Sequence, residues 1–555
     1  MDRNIAKKLT AIFACTLMAI GLFALVGCGG SSASSSAADS SAAPSSTSDS
    51  AVDESQVIIA IPTTSEPEAG FDPFFTWGCG EHVHEPLIQS TLIKTNIDLE
   101  FENDLATGYE VSKDNLTWTF KIRDDVKFTD DQPLTAKDVA FTINGIKNSE
   151  GSECDLSFVD EAVATDDTTV EIKLNRPFNA LLYQLANIGI VPEHAHGDDY
   201  GTNPIGSGRY MLEQWDQGQQ AILVANPNYY GEAPKIQRVI VLFMEEDAAL
   251  AAAAAGEVNV AWTSATLADS TPAGYELLSC KSVDSRGISL PVDAPGGTKD
   301  DGETSYPVGN AVTSDLAVRQ AINYGIDRNQ LVNNVMNGHG TVAYSVGDGM
   351  PWASDDMKVE TNVEAAKKYM TDGGWTLGDD GVFAKGDQRA AFDLYYPSSD
   401  SVRQAIAEEF KNQMAEIGIE VTPVGSTWTP DGLYAHQYSD PIVWGWGSNA
   451  PIEIYNIYFS TGNSNAANYN NKTTDAHIEA ALAAPTVEDS YSLWQQAYWD
   501  GSQGPAPQGD AAWVWLANID HLYFVTDGLQ VAEQKPHPHG HGWSILNNVD
   551  EWSWK

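Results

Sequence analysis

In the C-terminal half, two β-patterned runs flank one amphipathic helix, and that arrangement constrains the fold more than any other stretch. Residues 392–396 read as a strand, residues 402–417 as a helix closed by Gly418, and residues 419–424 as a strand again. A strand, a crossover helix and a second strand imply a parallel pair and place this half in the α/β class. Upstream, residues 57–61 form an apolar run ended by Pro62 that suits a buried strand. Residues 116–122 and 169–174 alternate as strands. Thr135 has the position of an N-cap, with Asp138 three residues on and Val139, Ile143 and Ile146 at helical spacing. Further strands are expected at 221–225, 239–243 and 258–262, around an Ala-rich helix over 246–255 that stops at Gly256. A shorter helix is expected over 362–370, closed by Gly373-Gly374, and no repeat is evident at solenoid or propeller spacing.

The N-terminus carries an address. Arg3, Lys7 and Lys8 precede an apolar stretch over residues 9–26, and Leu25-Val26-Gly27-Cys28 resembles the lipobox of a bacterial lipoprotein. The resemblance implies cleavage after residue 27 and lipidation of Cys28, where several acyl chains make an anchor far stronger than one myristoyl group. Residues 28–55 are a Ser/Ala-rich segment that cannot bury enough apolar surface to order itself, and they read as a disordered tether. Such a coil spans roughly 25–30 Å on average.

The chain has 555 residues and a formal net charge of −47. Without the signal it still exceeds what one domain needs, and two to four domains with sizeable cores are expected. So acidic a surface repels phosphate backbones, which excludes nucleic acid as a partner and disfavours adsorption to anionic lipid. Of five cysteines, Cys15 lies in the signal and Cys28 at the lipobox, leaving Cys79, Cys154 and Cys280. That odd set permits at most one intramolecular bridge.

Four blocks, in order, resemble one family. They are Leu116-Thr117-Trp118-Thr119-Phe120-Lys121-Ile122-Arg123-Asp124-Asp125-Val126-Lys127-Phe128 with Leu134-Thr135-Ala136-Lys137-Asp138-Val139, then Gly206-Ser207-Gly208-Arg209-Tyr210, then Asn226-Pro227-Asn228-Tyr229-Tyr230-Gly231, then Val318-Arg319-Gln320-Ala321-Ile322-Asn323-Tyr324-Gly325-Ile326-Asp327-Arg328. Together they resemble the family 5 extracellular solute-binding proteins of ABC importers, the dipeptide, oligopeptide and nickel group, over residues 57–555. The resemblance implies an α/β fold, a periplasmic-binding-protein-like type II bilobal clamp with an additional third domain (class C). It divides the chain into lobe I (56–96, 205–310 and 515–555), an inserted domain (97–204) and lobe II (311–514). The lobes would close around a ligand by a hinged motion and dock on a permease, with a separate ATPase driving transport. This chain has no GxxxxGK[ST] loop to hydrolyse nucleotide. No cofactor is expected, and the chain is expected to act as a monomer. Most of the matching blocks, Tyr229-Tyr230-Gly231 among them, are expected to be structural.

Three clusters are candidates for ligand contact. The first, from Trp77 through Cys79, His82 and His84, follows the first strand, where open α/β sheets place ligand loops. His82 and His84, with Cys79, offer imidazole and thiolate to a borderline metal; the plain alternative is a Gly-rich loop with locally bonded histidines. The second is Trp444-Gly445-Trp446-Gly447-Ser448-Asn449-Ala450-Pro451. Peptide-binding relatives carry an aspartate here for the peptide's α-amino group. This chain has Asn449 instead, and Glu453 lies nearby without a sequence reason to replace that charge. Trp444 and Trp446 fall on one side of an extended segment and suit an apolar or cation–π wall. The third, His537, His539 and His541 between prolines and glycines, reads as an irregular structural loop before it reads as a metal site. Arg209, where the family commonly has proline, and more weakly Arg286, are candidates to pair with a ligand carboxylate.

These readings lead to a lipid-anchored binding protein for an ABC importer with a short peptide as ligand. A nickel or metal–chelate binder is the rival within the class. A secreted hydrolase is the competing class, against which stands the absence of a GxSxG elbow or an HExxH pair. A surface adhesin is a third possibility.

Overall fold

The strand Gln56–Ile61 carries an unbroken apolar run because both of its faces are covered. In the computed structural model, which describes residues 53–80, 83–300, 304–540 and 542–555, it lies near the middle of a seven-stranded sheet. It pairs in parallel with Arg238–Phe243 on one side and Val260–Thr263 on the other. His521–Thr526 and Tyr275–Cys280 extend one edge, and Gln220–Ala225 and Tyr210–Asp216 the other. The helix Glu246–Ala255 packs on this sheet with Ala249, Ala252 and Ala253 against Ala60 and Ala261. Small side chains on both partners let helix and sheet approach closely. The opposite face is aromatic, with Phe71, Trp77, Tyr523 and Trp543 buried together.

A second sheet, antiparallel, is formed by Ala106–Val111, Thr117–Ile122, Thr169–Leu174 and Val159–Asp166. The helix Ala136–Asn148 covers it and opens with the capping box expected at Thr135. Asp138 Oδ2 accepts from Thr135 N at 2.8 Å while Thr135 caps the first turn.

The third sheet joins Gly340–Val342, Trp513–Ile519, Ser285–Ser289 and Val443–Trp446. Trp513–Ile519 is buried almost end to end. The helices Leu316–Gly325 and Arg328–Met336 pack Val318, Ile322, Leu331 and Met336 onto it. The arginines of that block serve the fold. Arg319 donates to the carbonyls of Thr313 at 2.7 Å and Asp510 at 2.9 Å, and Arg328 donates to Trp515 O at 2.7 Å. The expected βαβ unit is present, with Ala391–Pro397 and Glu420–Ser426 parallel and Ser401–Glu416 between them.

The chain passes between the first and third sheets at two places. It leaves Cys280 and enters Ser285–Ser289 through residues 281–284, and it returns from Ile519 to His521 through Asp520. Residues 285–289 and 515–519, assigned from sequence to the first lobe, are thus hydrogen-bonded into the third sheet. The crossings lie side by side. Ile519 N donates to Asp284 O at 3.0 Å, and Lys281 Nζ meets Asp520 Oδ2 at 2.9 Å.

Cys79 and Cys154 are disulfide-bonded, and Cys280 is a buried free thiol. The bridge ties the loop after the first strand to the antiparallel body across a sequence separation of 75. In the chain-entropy account, closing a loop of that length stabilises by about 4 kcal/mol. The segment expected to be a signal, and Cys28, lie outside the described residues, among which no helix is long and apolar enough to cross a membrane.

Candidate functional site

A cavity of about 880 Å³ opens where loops from all three sheets meet. The disulfide and His84 supply one wall, the segment 149–157 of the antiparallel body a second, and residues 444–450 a third, with Lys535 and His539 closing the side toward the C-terminus. Six of the sequence candidates therefore meet here: Cys79, His84, Trp444, Trp446, Asn449 and His539.

The tryptophan wall takes its shape from the two glycines between and beyond the indoles. A Cβ on Gly445 would collide with Arg403 Nη2 and stand 2.7 Å from Arg286 Nη1, so the strand can run beneath both guanidiniums only without a side chain. Gly447, at φ +151°, presses its backbone against Val283 of the first crossing, where a Cβ has no room. Between them Trp444 and Trp446 stack with centroids 5.9 Å apart and planes at 28°, on one side as the alternation predicts. Trp428, which the sequence reading missed, extends the wall at 5.1 Å from Trp444. Trp444 Nε1 donates to Ser289 Oγ at 3.0 Å, which holds the inner ring. Asn449 Nδ2 donates to Pro536 O at 2.9 Å and ties this wall to the histidine loop.

Behind the wall lies a buried charge cluster. Asp284 is ion-paired with Arg286 and accepts from His539 Nδ1 at 2.9 Å and His521 Nε2 at 3.1 Å. Burial opposes its ionisation, but Arg286 and His539, then His521, hold its carboxyl well below the usual range. His537 contacts His521 Nδ1 to Nδ1 at 3.1 Å, and burial followed by the charges of His521 and Lys535 pushes its pKa well below the usual imidazole value. The third cluster is the structural loop that its prolines and glycines suggest, with His539 also facing the cavity; His541 lies outside the described residues. Arg286 is committed to Asp284 rather than offered to a ligand.

Three candidates change role. Trp77 is fully buried, edge-on to Phe71 and Trp543, with Nε1 donating to Gln89 Oε1 at 3.1 Å, and it does not reach the cavity. Arg209 pairs with Asp550 at 2.9 Å, a carboxylate of this chain 341 residues on, away from the cavity. Cys79 cannot offer a thiolate because its sulfur is bonded to Cys154. His84 lines the cavity with Nδ1 2.9 Å from Glu85 O, and His82 lies outside the described residues. Among the described residues no three His, Cys, Asp or Glu side chains are grouped to hold a metal ion.

Glu453 is the titratable group that the sequence left without a role. It sits in the first turn of Ile452–Tyr458 and lines the cavity. Burial pushes its carboxyl up to about 7, against a smaller opposing contribution from the Asn456 side chain. A carboxyl raised in the folded state binds more protons there than in the unfolded chain, so folding weakens as pH rises from 4.5 toward 7. Ligand-free Glu453→Gln is therefore expected to be more stable than the parent at pH 8, by up to about 2 kcal/mol allowing for partial exposure, and equal to it near pH 4.5. Denaturant melts at both pH values check this; an equal or lower stability at pH 8 contradicts it.

Known proteins share this architecture. The sequence model for bacterial extracellular solute-binding proteins, family 5 Middle, matches residues 100–468. Protein XP55 of Streptomyces lividans is 29% identical over 505 residues, covering 85% of this chain and 86% of its own. The oligopeptide-binding protein AppA of Bacillus subtilis is 27% identical over 412 residues, covering 69% and 73%. The crystal structure of NikZ from Campylobacter jejuni in complex with Ni(L-His) superposes with a TM-score of 0.76 at 23% identity, over 90% of this chain and 99% of that one. That likeness speaks for the fold. Two thirds of the chain fall within the family match, and the chain belongs to the family 5 bacterial extracellular solute-binding proteins.

Proposed function

We propose that this chain is a lipid-anchored receptor that binds a short peptide between two α/β lobes and delivers it to the permease of an ABC importer. The observation that carries the reading is the cavity itself. Its volume of about 880 Å³ is within the 300–1,000 Å³ typical of sites that enclose organic ligands. Its walls come from segments on both sides of the two crossings, so a ligand that touches both favours the closed arrangement over the open one. In this reading the first sheet forms lobe I, the antiparallel body is the inserted domain, and the third sheet forms lobe II, with residues 281–284 and Asp520 as the hinge. The oligopeptide-binding relative supports a peptide. A nickel chelate is the second reading, favoured by His84 and His539 on the cavity wall and by the Ni(L-His) bound to the Campylobacter jejuni structure.

Thermal melts of the full chain in detergent separate these ligands. At about a hundred times its Kd, a ligand of the folded state stabilises by about 2.7 kcal/mol, a melting shift of a few degrees. A tri- to pentapeptide pool is expected to give that shift and to reduce the radius of gyration. A shift with Ni(L-His) and none with peptides moves the assignment to chelates. Turnover of a chromogenic ester without any shift contradicts both.

The anchor is tested separately. Cys28→Ala is expected to abolish incorporation of labelled palmitate and to release the chain from the membrane fraction. Unchanged labelling would show that Cys28 is not the lipidated residue.

A further inference from the structure

A row of hydrogen bonds runs from Trp552 to Asp284, and its two ends fix every proton along it. An indole N–H can only donate, so Asn548 Oδ1, 3.1 Å from Trp552 Nε1, is an acceptor. The Gln534 atom that meets Asn548 Oδ1 at 2.6 Å is then the amide nitrogen, which also donates to Ala532 O at 3.0 Å. Gln534 therefore turns Oε1 toward His537 Nε2 at 3.2 Å, and that ring nitrogen carries a proton. His537 is buried, and burial, then the charges of His521 and Lys535, keep it from taking a second proton near neutral pH. Its Nδ1 is thus a lone pair, and His521 Nδ1, 3.1 Å away, must donate to it. At its other nitrogen His521 meets Asp284 Oδ2 at 3.1 Å. Despite burial, Arg286 and His539, then His521, keep Asp284 ionised, so His521 Nε2 must donate as well. His521 therefore carries both ring protons.

Removing one of them sets two lone pairs against each other across the contact between the two histidines. Moving the His537 proton from Nε2 to Nδ1 only transfers the conflict to Gln534 Oε1. Gln534 cannot turn over to relieve it, because Ala532 O and Asn548 Oδ1 both need its nitrogen. The mismatch stays within the row, where an unmade buried hydrogen bond is costly.

The row bears on the cavity through His537. Its backbone is bonded to Lys281 and Val283 of the first crossing, and His539, two residues on, donates from N to Gly447 O in the tryptophan wall. Pro538 and His539 themselves line the cavity. The groups packed around His521 leave its proton as the variable one. Cys280, opposite it in strand register, has its thiol pushed up to about 12 by burial and then Asp520. Tyr523, whose ring lies against His537, is raised well above its usual value by burial. Arg286 is paired with Asp284, Lys281 with Asp520 and Lys535 with Glu85, while His539 shares Asp284.

We propose that His521 is a proton-operated latch at the crossings. With both ring protons it ties Asp284 to His537 and seats the loop that holds the tryptophan wall; with one, the loop loses that seat. The wall is therefore set on the acid side of the His521 titration and released on the alkaline side.

Ring-nitrogen NMR of the ligand-free full chain in detergent, labelled with 15N-histidine, tests this from about pH 6 to about pH 9. At the lower pH, His521, identified by the signal missing in His521→Asn, is expected to show two protonated nitrogens and His537 one, at Nε2. As His521 loses its proton, protection of the His539 amide, corrected for the intrinsic pH dependence of exchange, is expected to fall at least tenfold. No such step is expected in His521→Asn. A singly protonated His521 at the lower pH overturns the proposal. So does His539 protection that stays level through the His521 titration, or that falls equally in the variant. If the variant does not fold, sequential assignment identifies the His521 signal, and coincidence of the ring and amide midpoints in the parent decides. The ligand-free chain is used, so the outcome stands whether the bound solute is a peptide or a chelate.

Discussion

The two crossings between the first and third sheets bear the architecture, and Asp284 is the residue on which they converge. Its backbone carbonyl accepts from Ile519 on the returning strand, and its carboxylate gathers Arg286, His521 and His539. Buried charge of this kind is stable only when paired and hydrogen-bonded. Asp284 meets that condition with partners drawn from both crossings and from the C-terminal loop, so one side chain holds together three stretches remote in sequence. Removing one member of such a cluster leaves the others buried and uncompensated, which typically costs about 3–5 kcal/mol.

The cavity inherits its shape from that arrangement. Val283 N donates to His537 O and His537 N to Lys281 O, so the histidine loop is laced to the first crossing. His539 N donates to Gly447 O, and the loop in turn holds the tryptophan wall. Gly447 must be glycine for the wall to lie against Val283, and Gly445 must be glycine for it to pass beneath Arg286 and Arg403. The wall thereby faces the disulfide-tied loop across the cavity. Asn449 donates to Pro536 O beside the histidine loop, so the wall and the first crossing are joined through that loop.

Much of this was legible in sequence where a local rule decides the outcome. The box at Thr135 and Asp138, the βαβ unit over residues 391–426 and the common side of Trp444 and Trp446 each follow from spacing within a few residues. Pairings across hundreds of residues were not legible. Arg209 has the chemistry to hold a ligand carboxylate but folds against Asp550. Cys79 has the chemistry of a metal ligand but is within reach of Cys154. Trp77 and Trp444 are alike as residues, and only the sheet placement sends one into the core and the other to the cavity. Glu453 was visible but had no sequence reason to stand out, because its raised pKa follows from burial, which a sequence does not display.

The dependence of the cavity on Asp284 is most directly measured by amide hydrogen exchange in the ligand-free parent and in Asp284→Asn. The amides of Val283, Ile519, His537 and His539 each donate across this junction. They are expected to exchange faster in the variant, while those of the central strand Gln56–Ile61 keep their protection. Unchanged protection at all four amides would contradict the role given to Asp284 and leave the junction to be held by backbone pairing alone.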